Sequence, residues 1–432
     1  MEEGLLPWAE PAWLGSLESP YYNDSHRKLR AHARTYYDEN VIPHMLEWEE
    51  KGDCPASAKT ACLKSGLSLL YVPKEYRPAE FNTVGGIPID EIDVFHQLIL
   101  SDEYSRVEGG VMVALSNGAN MIGIPPVVNH GTEAQKRRWL PGLFTGETNF
   151  CLGITEPSGG SDVSNLKTTA KKSADGTHYV VNGTKKWITG SQWATHMTTA
   201  VRTGGPGVGG ISLLVVPLKL PGVSVQKIAN SGQNAGGASW VRMDNVKVPV
   251  DHLLGTENAG FMYIMKNFNQ ERFVMAVGCN RKARTCLSTS LAYAHERETF
   301  GVPLIGHQVI RHKIVNLARE VEAHWARLEQ ITYHVQKHGW NSRDIAGPIA
   351  LAKISGGRLL ELAAREAQQV MGGVAYQRDG PGGGGIIEQI TRDLRMMVVG
   401  GGSEEILGDL AFKEEMKTAK LKTEAKAKTA KL

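Results

Sequence analysis

A carboxylate becomes a useful base when it is kept out of water, and Glu271 stands where a helical pattern would do that. It shares a stripe with Ile264, Phe268, Met275 and Gly278 at i, i+3, i+4 and i+7 spacing, which directs its side chain with the apolar ones. Desolvation there raises a glutamate from about 4.3 toward neutral pH and strengthens it as a base. The competing role is an ion pair with Arg272 or Arg281. A second constellation is Ile154-Thr155-Glu156-Pro157-Ser158-Gly159-Gly160-Ser161-Asp162-Val163, followed by Lys185-Lys186-Trp187-Ile188-Thr189. A strand entering a Gly-Ser turn presents backbone N–H groups and a hydroxyl, and a nearby Trp can cover a ring face, so the pair suits a flat heterocycle. Taken alone, a turn with a core tryptophan is the favoured reading; the two strings together at this spacing favour the heterocycle.

These residues need elements to hold them. From about Asn23 to Gly146 the pattern is helical, with segments such as 89–106 between Gly and Pro breaks, and Thr132-Glu133-Ala134-Gln135 reads as a capping box. Between about Phe150 and Leu254 alternation and β-branched residues predict short strands, at 179–181, 211–216 and 223–228. Asn182-Gly183 between two such runs predicts a type I′ hairpin. From about Asn258 to Phe412 the 3.6-residue period returns in long runs, 261–296 and 308–336, as in a helical bundle. Asp379-Gly380-Pro381 and the glycines 382–385 predict a loop between helices.

With 432 residues, 41% hydrophobic and 22% charged, the chain is long enough for two or three domains, and its net charge of +3 makes no case for a nucleic-acid partner. No stretch approaches the roughly 20 apolar residues that span a bilayer. The five cysteines form no CxxC pair, so neither a disulfide framework nor a metal site is expected. The N-terminal residues lack the character of a mitochondrial presequence. The final Ala430-Lys431-Leu432 resembles a peroxisomal address, so a peroxisomal location is expected, and otherwise a mitochondrial or cytosolic one.

In order and spacing, the strings resemble the acyl-CoA dehydrogenases, whose middle domain carries a Thr-Glu-Pro-x-x-Gly-Ser-Asp motif and a Trp-Ile-Thr strand. The resemblance continues through Asp244-Asn245-Val246-Lys247-Val248-Pro249, Glu296-Arg297-Glu298-Thr299-Phe300-Gly301 with His307-Gln308, Gln369-Val370-Met371-Gly372-Gly373, Arg392-Asp393 and Gly401-Gly402-Ser403-Glu404-Glu405-Ile406. It covers nearly all of the chain before the tail. It implies an α+β multi-domain fold: an N-terminal helical domain (1–148), a middle β-barrel domain (149–256), a C-terminal four-helix bundle (257–412) and a Lys-rich tail (413–432) that is a frayed helix or flexible. The implied activity is FAD-dependent α,β-dehydrogenation of an acyl-CoA to the trans-2-enoyl-CoA, as in fatty acid β-oxidation. Electrons would pass to an electron-transfer flavoprotein or, in an oxidase, to oxygen. A homo-oligomer, tetramer or dimer, is also implied.

The resemblance assigns FAD to Ile154, Thr155, Ser161, Trp187, Thr189, Arg297, Thr299, His307, Gln308, Gln369, Gly373, Ser403 and Glu405, and acyl-CoA to Ser161, Asn269, Arg272 and Gly402. For Arg297 the alternative is an exposed helix-end cation, and for Arg272 a structural salt bridge. Many members carry the catalytic base just before the Gly-Thr or Gly-Ser of the last motif, where this chain has Gly401. Long-chain and isovaleryl-type members place it on an earlier helix, in a string like Gln270-Glu271-Arg272, and Glu271 matches that pattern. Glu404 and Glu405 stand at the expected start of a helix, where acidic residues favour the macrodipole. Val374-Ala375 after the paired glycines, and the glycines 382–385, depart from the common pattern.

Overall fold

The computed structural model describes residues 6–15 and 17–429. In chain order they form helices α1 (Asp24–Asn40), α2 (Met45–Lys51), α3 (Ala56–Ser65), α4 (Val94–Tyr104), α5 (Val111–Leu115), α6 (Asn120–Gly123), α7 (Pro125–His130), α8 (Glu133–Trp139), α9 (Gly142–Thr145), α10 (Gly260–Glu296), α11 (Gln308–His338), α12 (Ala346–Met371), α13 (Gly384–Val399) and α14 (Glu404–Thr429). The strands are β1 (Thr83–Val84), β2 (Ile87–Pro88), β3 (Phe150–Gly153), β4 (Thr169–Lys172), β5 (His178–Ile188), β6 (His196–Arg202), β7 (Ile211–Pro217), β8 (Val223–Lys227), β9 (Ser239–Pro249), β10 (Leu253–Leu254), β11 (Glu298–Thr299) and β12 (Val302–Pro303). The chain divides into two compact units, neither of them contiguous.

One unit is helical and comprises the chain up to Ala31, Asp93–Glu108 and the chain from Asn269 onward. Its core takes Cys279, Ala283 and Leu287 from α10, Leu317 and Val321 from α11, Leu360, Ala364 and Ala367 from α12, and Ile387 and Ile390 from α13. Each set recurs at three- or four-residue spacing, so four helices bury one stripe each against a common centre. Leu407 and Ala411 of α14 pack on Ala350 of α12. The helix expected over 89–106 begins later, at Val94, because Asp93 accepts from the His96 amide in a capping box; Ile89–Glu91 is a single 3-10 turn. The expected glycine loop is also shorter. It ends at Gly383 (φ +83°), and Gly384 and Gly385 form the first turn of α13, where a Cβ on Gly384 would lie 2.4 Å from the Val374 carbonyl oxygen. The tail continues α14 as a helix to Thr429; the terminal Ala430-Lys431-Leu432 lies outside the described residues.

The other unit comprises His32–Ile92 and Gly109–Phe268. The capping box at Thr132 and Gln135 forms as expected and opens α8. The main sheet runs β10-β7-β6-β4-β5-β9-β8, with β3 parallel to β6. The expected barrel does not close: among the described residues no pairing joins β8 to β10. At its centre β4 pairs β5 over four residues but β6 only through Thr169 and Arg202. The hairpin expected at Asn182-Gly183 is likewise absent. Strand β5 runs straight through both residues and pairs with β9, with a bulge between Val181 and Gly183. Glycine is required there by close approach, since a Cβ would lie 2.5 Å from Thr168 Oγ1. No helix among the described residues is long and apolar enough to cross a membrane.

Candidate active site

Glu271 lies on α10, and its Oε2 is sealed from solvent without a hydrogen-bond partner among the described residues. Burial pushes its pKa up to about 7, against the lowering effect of Arg272. Neither arginine offered as an ion-pair partner takes that role. Arg272, itself buried, donates from Nε to the Gly401 carbonyl at 2.8 Å, and Arg281 is bonded to Asp102 and Glu10. Asn269, one turn from Phe273 on the same helix, is half-buried.

The turn that Arg272 holds is the segment of the last motif noted in the sequence. Gly401 (φ +68°) and Gly402 (φ +117°) have backbone conformations that disfavour any larger residue. Their neighbour is Met275, one helical turn beyond Glu271: a Cβ on Gly401 would lie 3.0 Å from its Sδ, and one on Gly400 2.8 Å from its Cε. Glu271 and Met275 share a helix face at i, i+4. The chain therefore brings its buried carboxylate to the side of α10 that adjoins the glycine turn. Ser403 accepts the Leu407 amide, and Glu404 pairs with Arg358 (2.9 and 3.1 Å), which holds its carboxylate below the usual range. Glu404 and the exposed Glu405 occupy the first turn of α14, as the macrodipole favours.

In the sheet-bearing unit the two strings singled out in the sequence meet. The Lys186 amide donates to the Thr155 carbonyl at 2.9 Å, and Lys185 Nζ reaches the Ile154 carbonyl (3.1 Å) and Glu156 Oε1 (2.8 Å). Glu156 also accepts the amides of Lys167 and Thr168 and is only 5% exposed. The turn from Glu156 is closed by paired backbone bonds with Gly159, leaving Ser161 exposed and Thr155 half-exposed. Trp187 is 50% exposed with φ +63°, at the irregularity where β5 leaves its register with β9, and Thr189 follows half-exposed. Ile154 has its side chain in the core beside Phe150 and Leu166.

The remaining candidates lie on the helical unit. Arg297 precedes the β11–β12 hairpin, whose turn is Phe300 (φ +52°) and Gly301 (φ +80°); Phe300 is 97% exposed. Thr299 Oγ1 and His307 Nε2 are 3.1 Å apart, and Gln308 opens α11. Gln369 and Gly373 are exposed at the end of α12 and in the following 3-10 turn. No hydrogen bond joins them to the 297–308 group among the described residues. Two residues went unnoticed in the sequence reading. One is Glu156 as an ion-pair anchor. The other is Lys353 of α12, detectable only as a lone cation in the run Ile349-Ala350-Leu351-Ala352-Lys353-Ile354-Ser355-Gly356.

The N-terminal, middle and C-terminal domain families of acyl-CoA dehydrogenase match residues 23–147, 151–246 and 258–415. An acyl-CoA dehydrogenase of Alternaria alternata is 43% identical over 424 residues, covering 95% of this chain and 96% of that protein. One of Emericella nidulans is 40% identical over 428 residues, covering 97% of each. The structure of an acyl-CoA dehydrogenase complexed with FAD from Bacillus anthracis superposes with a TM-score of 0.80 at 25% identity, over 93% of this chain and 68% of that one. The chain belongs to the acyl-CoA dehydrogenase family: it is an FAD oxidoreductase that dehydrogenates acyl-CoA. The residues present fit that cofactor: Trp187 is half-exposed with Lys186 Nζ 4.7 Å from its ring centroid, and the neighbouring Thr155, Ser161 and Thr189 offer hydroxyls, which together suit a flat polar heterocycle.

Proposed function

We propose that Glu271 is the base that removes the α-proton of an acyl-CoA thioester, giving the trans-2-enoyl-CoA. The observation that carries this reading is a carboxylate with one oxygen withdrawn from water and without a hydrogen-bond partner among the described residues, its pKa pushed up to about 7 by burial. A base whose pKa lies near the working pH is strong enough to take a proton while a substantial fraction of it is ionised. FAD, when bound, would supply the acceptor for the hydride that leaves the β-carbon. Trp187, Thr155, Ser161 and Thr189 would hold its ring system, and Arg297, Thr299, His307, Gln308, Gln369, Gly373, Ser403 and Glu405 the rest. Ser161, Asn269, Arg272 and Gly402 would contact acyl-CoA. Glu271→Gln should retain bound FAD yet fail to bleach it anaerobically with a graded series of straight and branched acyl-CoAs; undiminished bleaching removes Glu271 from the mechanism.

The acceptor we propose is an electron-transfer flavoprotein, which fits the family. Stoichiometric peroxide during aerobic turnover would instead identify an oxidase. We also propose a homo-oligomer, supported by the exposed Phe300, Tyr376, Phe412 and Met416 of the helical unit. Sedimentation of the holoenzyme as a monomer at micromolar concentration would refute it.

A further inference from the structure

Lys353 is 1% exposed, and an ammonium is expensive to bury without full compensation. Its hydrogen bonds among the described residues go to backbone carbonyls alone: Nζ donates to Val398, in the last turn of α13, and to Gly402 at 2.9 Å. Arg272 meanwhile holds the Gly401 carbonyl. Two buried cations from two different helices thus take three carbonyls in and around one glycine turn. In a trans peptide the C=O and N–H point to opposite sides. A cation on the Gly401 carbonyl therefore fixes the Gly402 N–H, and one on the Gly402 carbonyl fixes the Ser403 N–H. Neither amide has an acceptor among the described residues. The same turn packs on Met275, on the helix face that carries Glu271.

We propose that Lys353 is a positioning residue for proton abstraction: it never touches substrate, but clamps the 400–402 turn so that the turn's amides are already aimed when negative charge develops on the thioester oxygen. Preorganised donors cost no reorganisation at the moment of reaction, and glycines with positive φ would otherwise leave the turn free to rotate its peptide planes. Burial lowers the pKa of Lys353, a cost that an apolar side chain would avoid. The inference rests on the proposed role of Glu271.

The test compares holoenzymes of Lys353→Met, which keeps length without a donor, and Lys353→Gln, which keeps a donor without charge. Four quantities are read: FAD content, kcat and KM with an acyl-CoA that reduces the wild-type flavin, solvent exchange of the α-proton in a thioester lacking a transferable β-hydrogen, and backbone amide exchange over 398–403 without ligand. Lys353→Met should keep its FAD and a KM within about threefold, while kcat and α-proton exchange fall together by about 10²-fold and amide exchange in the turn quickens. Lys353→Gln should recover at least about tenfold of that loss. A variant with lowered melting temperature but unchanged kcat per bound flavin would make Lys353 merely structural and overturn the proposal. So would a rise in KM alone. If Lys353→Met does not fold, Lys353→Gln decides: a parallel fall in kcat and α-proton exchange at full FAD content supports the clamp, and no fall overturns it. Failure of every acyl-CoA to reduce the wild-type flavin would instead bring down the reading of Glu271, and this proposal with it.

Discussion

Glu156 and Glu271 are the same residue type, both withdrawn from bulk water, yet their carboxylates are driven in opposite directions. Burial alone would raise both. At Glu156, in the sheet-bearing unit, Lys185 and the amides of Lys167 and Thr168 outweigh burial and hold the group below the ordinary glutamate range. At Glu271, in the helical unit, one oxygen has no partner among the described residues and burial wins. A buried carboxylate whose bonds are filled is an anchor; one left unfilled is held ready for a proton. The first ties together the two strings singled out in the sequence; the second is the base in the reaction we propose.

That contrast can be broken in several ways. The largest expected effect is on turnover: Glu271→Gln should lower kcat by about 10³–10⁴-fold with FAD retained, whereas Glu156→Gln should lose FAD affinity while keeping kcat per bound flavin within about tenfold. Next is stability. Lys185→Met leaves the Glu156 carboxylate buried without its cation and should cost about 3–5 kcal/mol in denaturant unfolding.

The pH dependence of stability sharpens the comparison further. Because the folded pKa of Glu271 is raised, the native state holds its proton more tightly than the unfolded chain, so its contribution is fully present below the unfolded value of about 4.3 and is lost as pH rises through about 7. Glu271→Gln should therefore be more stable than wild type at pH 8, by up to about 3 kcal/mol, and nearly equal to it at pH 4.5. Glu156 has the opposite sign: its contribution is present above the unfolded value and lost as pH falls through its depressed folded one. Glu156→Gln should thus be less stable than wild type at pH 7 and converge with it in acid. The smallest effect is expected at Gly401→Ala, about 1–2 kcal/mol from its φ of +68° and the crowding by Met275 Sδ, read as a fall in melting temperature.

Much of this was legible in the sequence where a local rule acts alone. The capping box at Thr132 and Gln135 formed, and the long 3.6-residue stripes became α10 and α11, because hydrophobic period and end signals agree there. The reading failed where a distant neighbour decides. Asn182-Gly183 carries the chemistry of a two-residue turn, but β9 continues to pair on both sides of it and Thr168 occupies the space beside Gly183. The middle sheet was expected to close, but its edge strands β8 and β10 do not pair among the described residues, a long-range pairing that no local pattern specifies. In the site, Glu271 could be picked out because its stripe is apolar. The partners of Glu156 and Lys353 could not, since Lys185 lies 29 residues from the first and Gly402 lies 49 from the second.

The most direct measurement is the pH dependence of the rate at which acyl-CoA bleaches bound FAD in a single anaerobic turnover. The account predicts a rate that rises with pH through an apparent pKa near 7 and a Glu271→Gln variant slow at every pH. A rate flat from pH 5 to 9, or a Glu271→Gln variant that keeps the same rising limb, would contradict it.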